Sequence, residues 1–229
     1  MIKMSNPLAQ LTKAEWILWG ISLAVVICSN IMTGQVDVLT IIATCLGVSA
    51  LIFAAKGHVI SPMMMIVFSI LYGVISWRFR YWGEMITYLG MTLPMSIWST
   101  VTWLKNPSEN GTEVAIRTLT KKHVVSLAVF GIITTAVFYV MLRVFDTPNI
   151  VFSTLSVLTS FVAAALTMLR SSYYALWYAL NDIILIVLWI LASMENPIYI
   201  PLVANFAIFL INDMYGFVSW KKREGKNQQ

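Results

Sequence analysis

Three asparagines and two aspartates stand in almost wholly apolar surroundings: Asn181-Asp182, Asn205 and Asn212-Asp213. Such groups are costly away from water, and they persist where they bind something or tie helices together. Spacing assigns them faces. Asn205 and Asn212 are seven residues apart, about two helical turns, and Tyr215 follows Asn212 at i+3, so the three form one stripe. Tyr174, Trp177 and Asn181 stack at i, i+3 and i+7, and Tyr88, Met91, Met95 and Trp98 have similar spacing. Aromatic faces beside amides suit a flat, polar, preferably cationic ring. Amides take up hydroxyls or a carboxamide, and Asp182 or Asp213 balances a positive charge. The candidate binding set is therefore Asn212, Tyr215, Asn181, Asn205, Trp98, Tyr88, Trp177, Met95 and Asp182. For any single amide the competing role is a link between helices, worth about 0.6 kcal/mol. Amides and acids on two helices beside an aromatic stripe favour a site.

Other chemistry is poorly supplied. No basic residue sits mid-way along an apolar stretch and no glycine-rich loop follows a strand, so a charged nucleotide is not expected. There is no H-E-x-x-H, no G-x-S-x-G and no acid cluster with metal-ligand spacing. No catalytic group, metal or cofactor is expected. Met63-Met64-Met65 points three ways on a helix and is a poor metal site. His58 and His123 fall at the edges of apolar stretches, where solvated ends are expected. Cys28 and Cys45 fall within them as buried thiols.

The elements that position these residues are membrane helices. Hydrophobic residues make up 59% of the chain and charged residues 11%, against roughly 25% charged in soluble domains. Eight stretches are long enough for a hydrocarbon core of roughly 30 Å: Trp16–Thr33, Val38–Ala55, His58–Trp77, Met85–Leu104, Val124–Leu142, Ile150–Leu169, Tyr173–Ala192 and Ile198–Trp220. Trp16, Trp19, Trp77, Trp103 and Trp220 lie at span ends, as in an interfacial belt. The first stretch is long enough to span and is not read as a cleavable signal peptide. The net charge of +5 belongs to the connectors and the tail. It is therefore a topology signal, not a nucleic-acid one. Lys3, Lys13, Lys56, Lys105, Arg117, Lys121, Lys122, Arg170, Lys221, Lys222, Arg223 and Lys226 fall on the side of the termini, against Arg78, Arg80 and Arg143 on the other. Both termini are expected in the cytoplasm.

The connector from Lys105 to His123, with turn signals at Asn106-Pro107 and Asn110-Gly111, divides two regions that end alike. Span four closes with Trp98-Ser-Thr-Val-Thr-Trp103, and span eight closes with Tyr215-Gly-Phe-Val-Ser-Trp220, 117 residues on. At that offset Tyr88 falls on Asn205 and Met95 on Asn212. The expected architecture is all-α: a segment with an extra span (1–33), a three-helix unit (38–104), a basic connector and linker helix (105–145), a second three-helix unit (148–220) and a basic tail (221–229). In this 3+1+3 plan the two units run parallel, and a substrate site is expected where they meet.

The run from Asn181-Asp182 to Trp189, Pro201-Leu-Val-Ala-Asn205-Phe and Asn212-Asp213-Met-Tyr215-Gly-Phe-Val-Ser-Trp220 resemble the PnuC family of bacterial nicotinamide riboside transporters. Gly83-Glu84-Met85 and Leu93-Pro94-Met95 extend the resemblance, which covers roughly 72–104 and 173–220. The family's Asn-x-x-Tyr element appears as Asn212 and Tyr215. Its Trp-x-x-Trp pair does not: Trp98 and Trp103 are five apart, with Thr100 where the first tryptophan would fall. The resemblance implies a fold similar to the SWEET sugar transporters and a homotrimer in the bacterial inner membrane. It also implies facilitated inward passage of nicotinamide riboside, whose pyridinium, carboxamide and hydroxyls match the lining read above. Close relatives carry thiamine, which stays open as a second substrate. A lipid-modifying membrane enzyme and a non-transporting subunit are the alternatives of other classes.

Overall fold

The computed structural model describes residues 6–32, 37–78, 82–109 and 111–226, with backbone alone at 198 and 226. Lys3 and Arg80 of the charge tally, Thr33 at the end of span one, and Asn110 lie outside the described residues. The helices are α1 (Lys13–Met32), α2 (Val38–Ala55), α3 (Ile60–Arg78), α4 (Trp82–Ile86), α5 (Leu93–Lys105), α6 (Lys121–Val144), α7 (Ile150–Met168), α8 (Tyr174–Glu195) and α9 (Ile200–Lys226). Seven of them are long and apolar enough to cross a membrane. A π-helical stretch, Thr87–Thr92, joins α4 to α5, so the eighth expected span is one run from Trp82 to Lys105. Proline explains the wide turn. In a regular helix Pro94 would leave the Gly90 carbonyl without a donor and press its ring against it. The i−5 bond from Leu93 N–H to Tyr88 O relaxes that turn. Beside it α3 comes close, because Gly73 has no side chain: a Cβ there would lie 2.5 Å from Leu89.

α8 packs between α7 and α9, α2 packs on α3 and α9, and α1 lies against α2 and α9. α6 packs on α7 and shows most of its surface outward. It starts with a capping box in which Thr120 and His123 satisfy each other's backbone N–H groups. α9 runs six residues past Trp220, so the basic tail begins as helix.

Trp103 and Trp220 are not belt residues. Both are fully buried, their rings 5.7 Å apart. Trp103 Nε1 donates to Thr167 O at the end of α7 (2.9 Å), and Trp220 Nε1 donates to Ala54 O at the end of α2 (2.7 Å). The two receiving ends are built alike. After α2, Gly57 and His58 N–H groups return to Ala54 O and Phe53 O; after α7, Arg170 and Ser171 N–H groups return to Thr167 O and Leu166 O. These are Schellman turns, with Gly57 at φ 68° and Arg170 at φ 59° in the left-handed position. The connector binds both turns: Val114 N–H reaches Gly57 O (2.9 Å) and Arg117 N–H reaches Arg170 O (3.0 Å). Arg223 of α9 adds an ion pair to Glu113 at 2.9 Å.

Two expectations are corrected here. His58 is buried rather than solvated, and its Nδ1 accepts from Ile60 N–H to start α3. Cys28 is exposed on the outer surface of α1 rather than buried.

Candidate functional site

A cavity of 180 Å³ lies between α2, α3, the π stretch and α5 on one side and α7, α8 and α9 on the other. That is more than ten times the roughly 10–15 Å³ a single water needs. Among the described residues, α1 and α6 line none of it. One wall is aromatic: Tyr88 packs against Tyr72 (4.5 Å between centroids) and Phe68 (5.7 Å). Tyr174 and Tyr178 of α8 and Phe206 and Phe209 of α9 face it. Hydroxyls come from Ser61, Thr92, Ser96, Ser99, Ser156 and Ser160. Asp182 and Asp213 are also in the lining, which among the described residues contains no lysine, arginine or histidine.

Of the residues expected at the site, Tyr88, Met95, Asn181 and Asp182 line this cavity. The buried amide of Asn181 is fixed by α7, because its Oδ1 accepts from Thr159 (2.9 Å) and Ser160 (3.0 Å). Asp182 is also buried, and its Oδ2 meets no donor from the protein.

The other five residues lie elsewhere. Trp98 is 60% exposed on the outer face of α5. Trp177 sits in an apolar groove against α6, with Leu127 and Val162. Asn205, Asn212 and Tyr215 do form one stripe, but it is turned toward α1. Asn205 Oδ1 accepts from Ser29 (2.9 Å), Asn212 Nδ2 donates to Ser22 (2.8 Å), and the Tyr215 hydroxyl donates to Glu15 Oε1 (2.7 Å). The partners Glu15, Ser22 and Ser29 repeat every seven residues along α1. The two stripes match in reverse order, as they must on antiparallel helices. The sequence held this signal in the heptad of α1, and in the structure the stripe makes a helix contact.

The expected effect of Asn212→Ala is structural. It should lower stability by about 0.5–2 kcal/mol and leave ligand affinity within about threefold. Combined with Ser22→Ala it should show positive coupling in a thermal-melt double-mutant cycle. Lost ligand binding at unchanged stability would return Asn212 to the site.

Sequence reasoning passed over Tyr178, and it weighed Asp213 as a charge partner but left it out of the candidate set. Tyr174, Tyr178, Asn181 and Asp182 fall at i, i+4, i+7 and i+8. That stripe is as regular as the one through Trp177, and the polar choice between them needed to know which side α6 covers.

Comparison with known proteins agrees with this architecture. A sequence model of the nicotinamide mononucleotide transporter family matches residues 37–222. Two curated proteins named nicotinamide riboside transporter PnuC are similar. One, from Neisseria mucosa, is 26% identical over 79% of this chain and 71% of its own; the other, from Haemophilus influenzae, is 27% identical over 77% and 76%. A crystal structure described as the vitamin B3 transporter PnuC superposes with a TM-score of 0.76 at 22% identity, covering 93% of this chain and 92% of that one. The last is a likeness of fold, and it takes in more of the chain than residues 37–222.

Proposed function

We propose that this chain, which belongs to the nicotinamide mononucleotide transporter family, passes nicotinamide riboside across the bacterial inner membrane through the cavity between its two sets of helices. The choice of substrate rests on the charge of the lining, which among the described residues has two carboxyls and no basic side chain. A phosphate there meets like charge. A pyridinium ring meets opposite charge, tyrosine faces and hydroxyls placed for a ribose. That favours the riboside over the mononucleotide, as do the names of the similar proteins. Thiamine, another flat cation, is the second reading on the same scaffold.

Melting of the detergent-solubilised protein separates these ligands. A ligand at about 100 times its Kd stabilises by about 2.7 kcal/mol. Nicotinamide riboside should raise the melting temperature, and nicotinamide mononucleotide at the same concentration should not. The reverse order overturns the reading, and a rise with thiamine alone replaces the substrate.

The proposed arrangement is α1 as an extra span, α2 to α5 as one unit, α6 as linker, and α7 to α9 as the second unit. The matched Schellman turns and the crossed indole bonds support it. Parallel units of this kind alternate access by rocking about the site between them. Passage is proposed as facilitated, since among the described residues no basic side chain lines the cavity beside its acids. With equal pH and no ion gradient, uptake into proteoliposomes should equilibrate and stop. Accumulation seen only under an imposed sodium or proton gradient overturns this. Both termini are proposed as cytoplasmic from the charge asymmetry, and a periplasmic signal from a reporter fused after Gln229 contradicts it. A homotrimer is proposed on the family resemblance, and a monomeric mass in mild detergent removes it.

A further inference from the structure

We propose that Asp182 and Asp213 act as one charge-sharing pair that makes the cavity prefer a singly charged cation to a neutral ring of the same shape. The inference rests on the nucleoside-transport reading and names what selects the ligand. Asp182 on α8 and Asp213 on α9 both line the cavity, and each is only 4% exposed. α8 and α9 pack together, and the two carboxyls are close enough to influence one another. Asp182 Oδ2 finds no donor among the described residues, so a buried acceptor at the cavity wall awaits a partner.

Among the described residues, no cation answers the pair. Tyr88, with Glu84 behind it, approaches from the α4 side, and Tyr174 and Tyr178 approach along α8. α2 and α7 contain no acid, lysine, arginine or histidine, and the arginine of α3, Arg78, stands in its last turn. On α9, Arg223 lies near Tyr174 and pairs with Glu113. Glu15 of α1 is engaged by Lys56 and Tyr215 on another face of α9.

Two ionised carboxylates in contact repel, and a hydrogen bond between them needs one proton. A pair that keeps one proton carries one negative charge spread over two side chains. A pyridinium ring neutralises that charge with no proton gained or lost. A neutral ring leaves it buried and unanswered. Asp213, outside the set chosen from sequence, has a part equal to that of Asp182.

Equilibrium binding to the full-length protein in detergent tests this with nicotinamide riboside and its neutral 1,4-dihydro form, which has nearly the same shape. The native protein should prefer the cation by a factor on the order of 100. Asp182→Asn or Asp213→Asn leaves one carboxylate, now accepting from the new amide. Each should lower the preference by less than about tenfold. The double substitution should remove it while dihydronicotinamide riboside still binds, which reports an intact fold. A native protein that binds both ligands equally overturns the pair's role and leaves the transport reading standing. A native protein that binds neither overturns the reading beneath it. A single substitution as damaging as the double overturns the shared charge. If the double variant does not fold, the native ratio and the two single variants decide.

Discussion

Trp220→Ala should cost the folded protein about 3–5 kcal/mol, the range for emptying a well-packed tryptophan site. The side chain is fully buried and touches Trp103 and Tyr174, with ring centroids 5.7 and 4.9 Å away. Its N–H also satisfies Ala54 O at the end of α2. Trp220→Phe keeps part of the ring and loses the donor, and should cost about 1–3 kcal/mol. Trp103→Ala should fall in the same range as Trp220→Ala, because Trp103 bonds the end of α7 in the same way. The double variant should not be additive, since the two rings touch. Chemical denaturation in detergent measures all four. A Trp220→Ala protein as stable as the native one would falsify the view that these indoles fasten the two sets of helices together at this end.

That role was hidden by the same property that made the tryptophans conspicuous. Trp103 and Trp220 stand at span ends, where indoles favour the membrane interface. A sequence shows the end of a helix but not which side of it meets another helix. Trp16 and Trp77, 44% and 62% exposed, face outward as expected. What the sequence did carry was the offset of 117 residues between the two closing tryptophans, and their crossed bonds give it a physical meaning.

The spans themselves were legible because length and hydropathy are one-dimensional properties. The exception is the run through Thr87–Thr92. Its hydropathy marks a span, but the π stretch depends on how the chain relaxes around Pro94. That local widening brings Thr87, Tyr88 and Thr92 to the cavity.

The site was legible in kind and only in part by residue. Aromatics, an amide and acids do meet at one cavity, and Tyr88, Met95, Asn181 and Asp182 are among them. On α9 the cavity takes a neighbouring stripe. Asn205, Asn212 and Tyr215 were chosen because amides are informative inside a membrane, whereas Phe206, Phe209 and Asp213 line the cavity. The partner that takes them up, α1, reads as an extra span with no stated task.

Glu15→Ala should show that this task is structural, with a loss of about 3–5 kcal/mol, as for other broken buried pairs. Glu15 is 2% exposed and ties three elements together. Within α1 it closes a capping box, with Thr12 N–H to its Oε2 (2.7 Å) and its own N–H to Thr12 Oγ1 (3.3 Å). From the turn after α2, Lys56 Nζ pairs with Oε2 at 3.0 Å; from α9, Tyr215 donates to Oε1. Alanine strands the Lys56 charge, which is 17% exposed and only partly reached by water. It also leaves the Tyr215 hydroxyl without its acceptor. Glu15→Gln keeps an oxygen for Tyr215 but not the charge for Lys56, so it should fall between native and alanine. The melting temperatures should rank in that order. Because α1 lines none of the cavity, affinity for nicotinamide riboside should stay within about threefold in every variant that remains folded. An alanine variant that melts like the native protein removes the clamp. One that melts normally yet loses the ligand makes α1 part of the binding machinery, and the polar stripe of α9 with it.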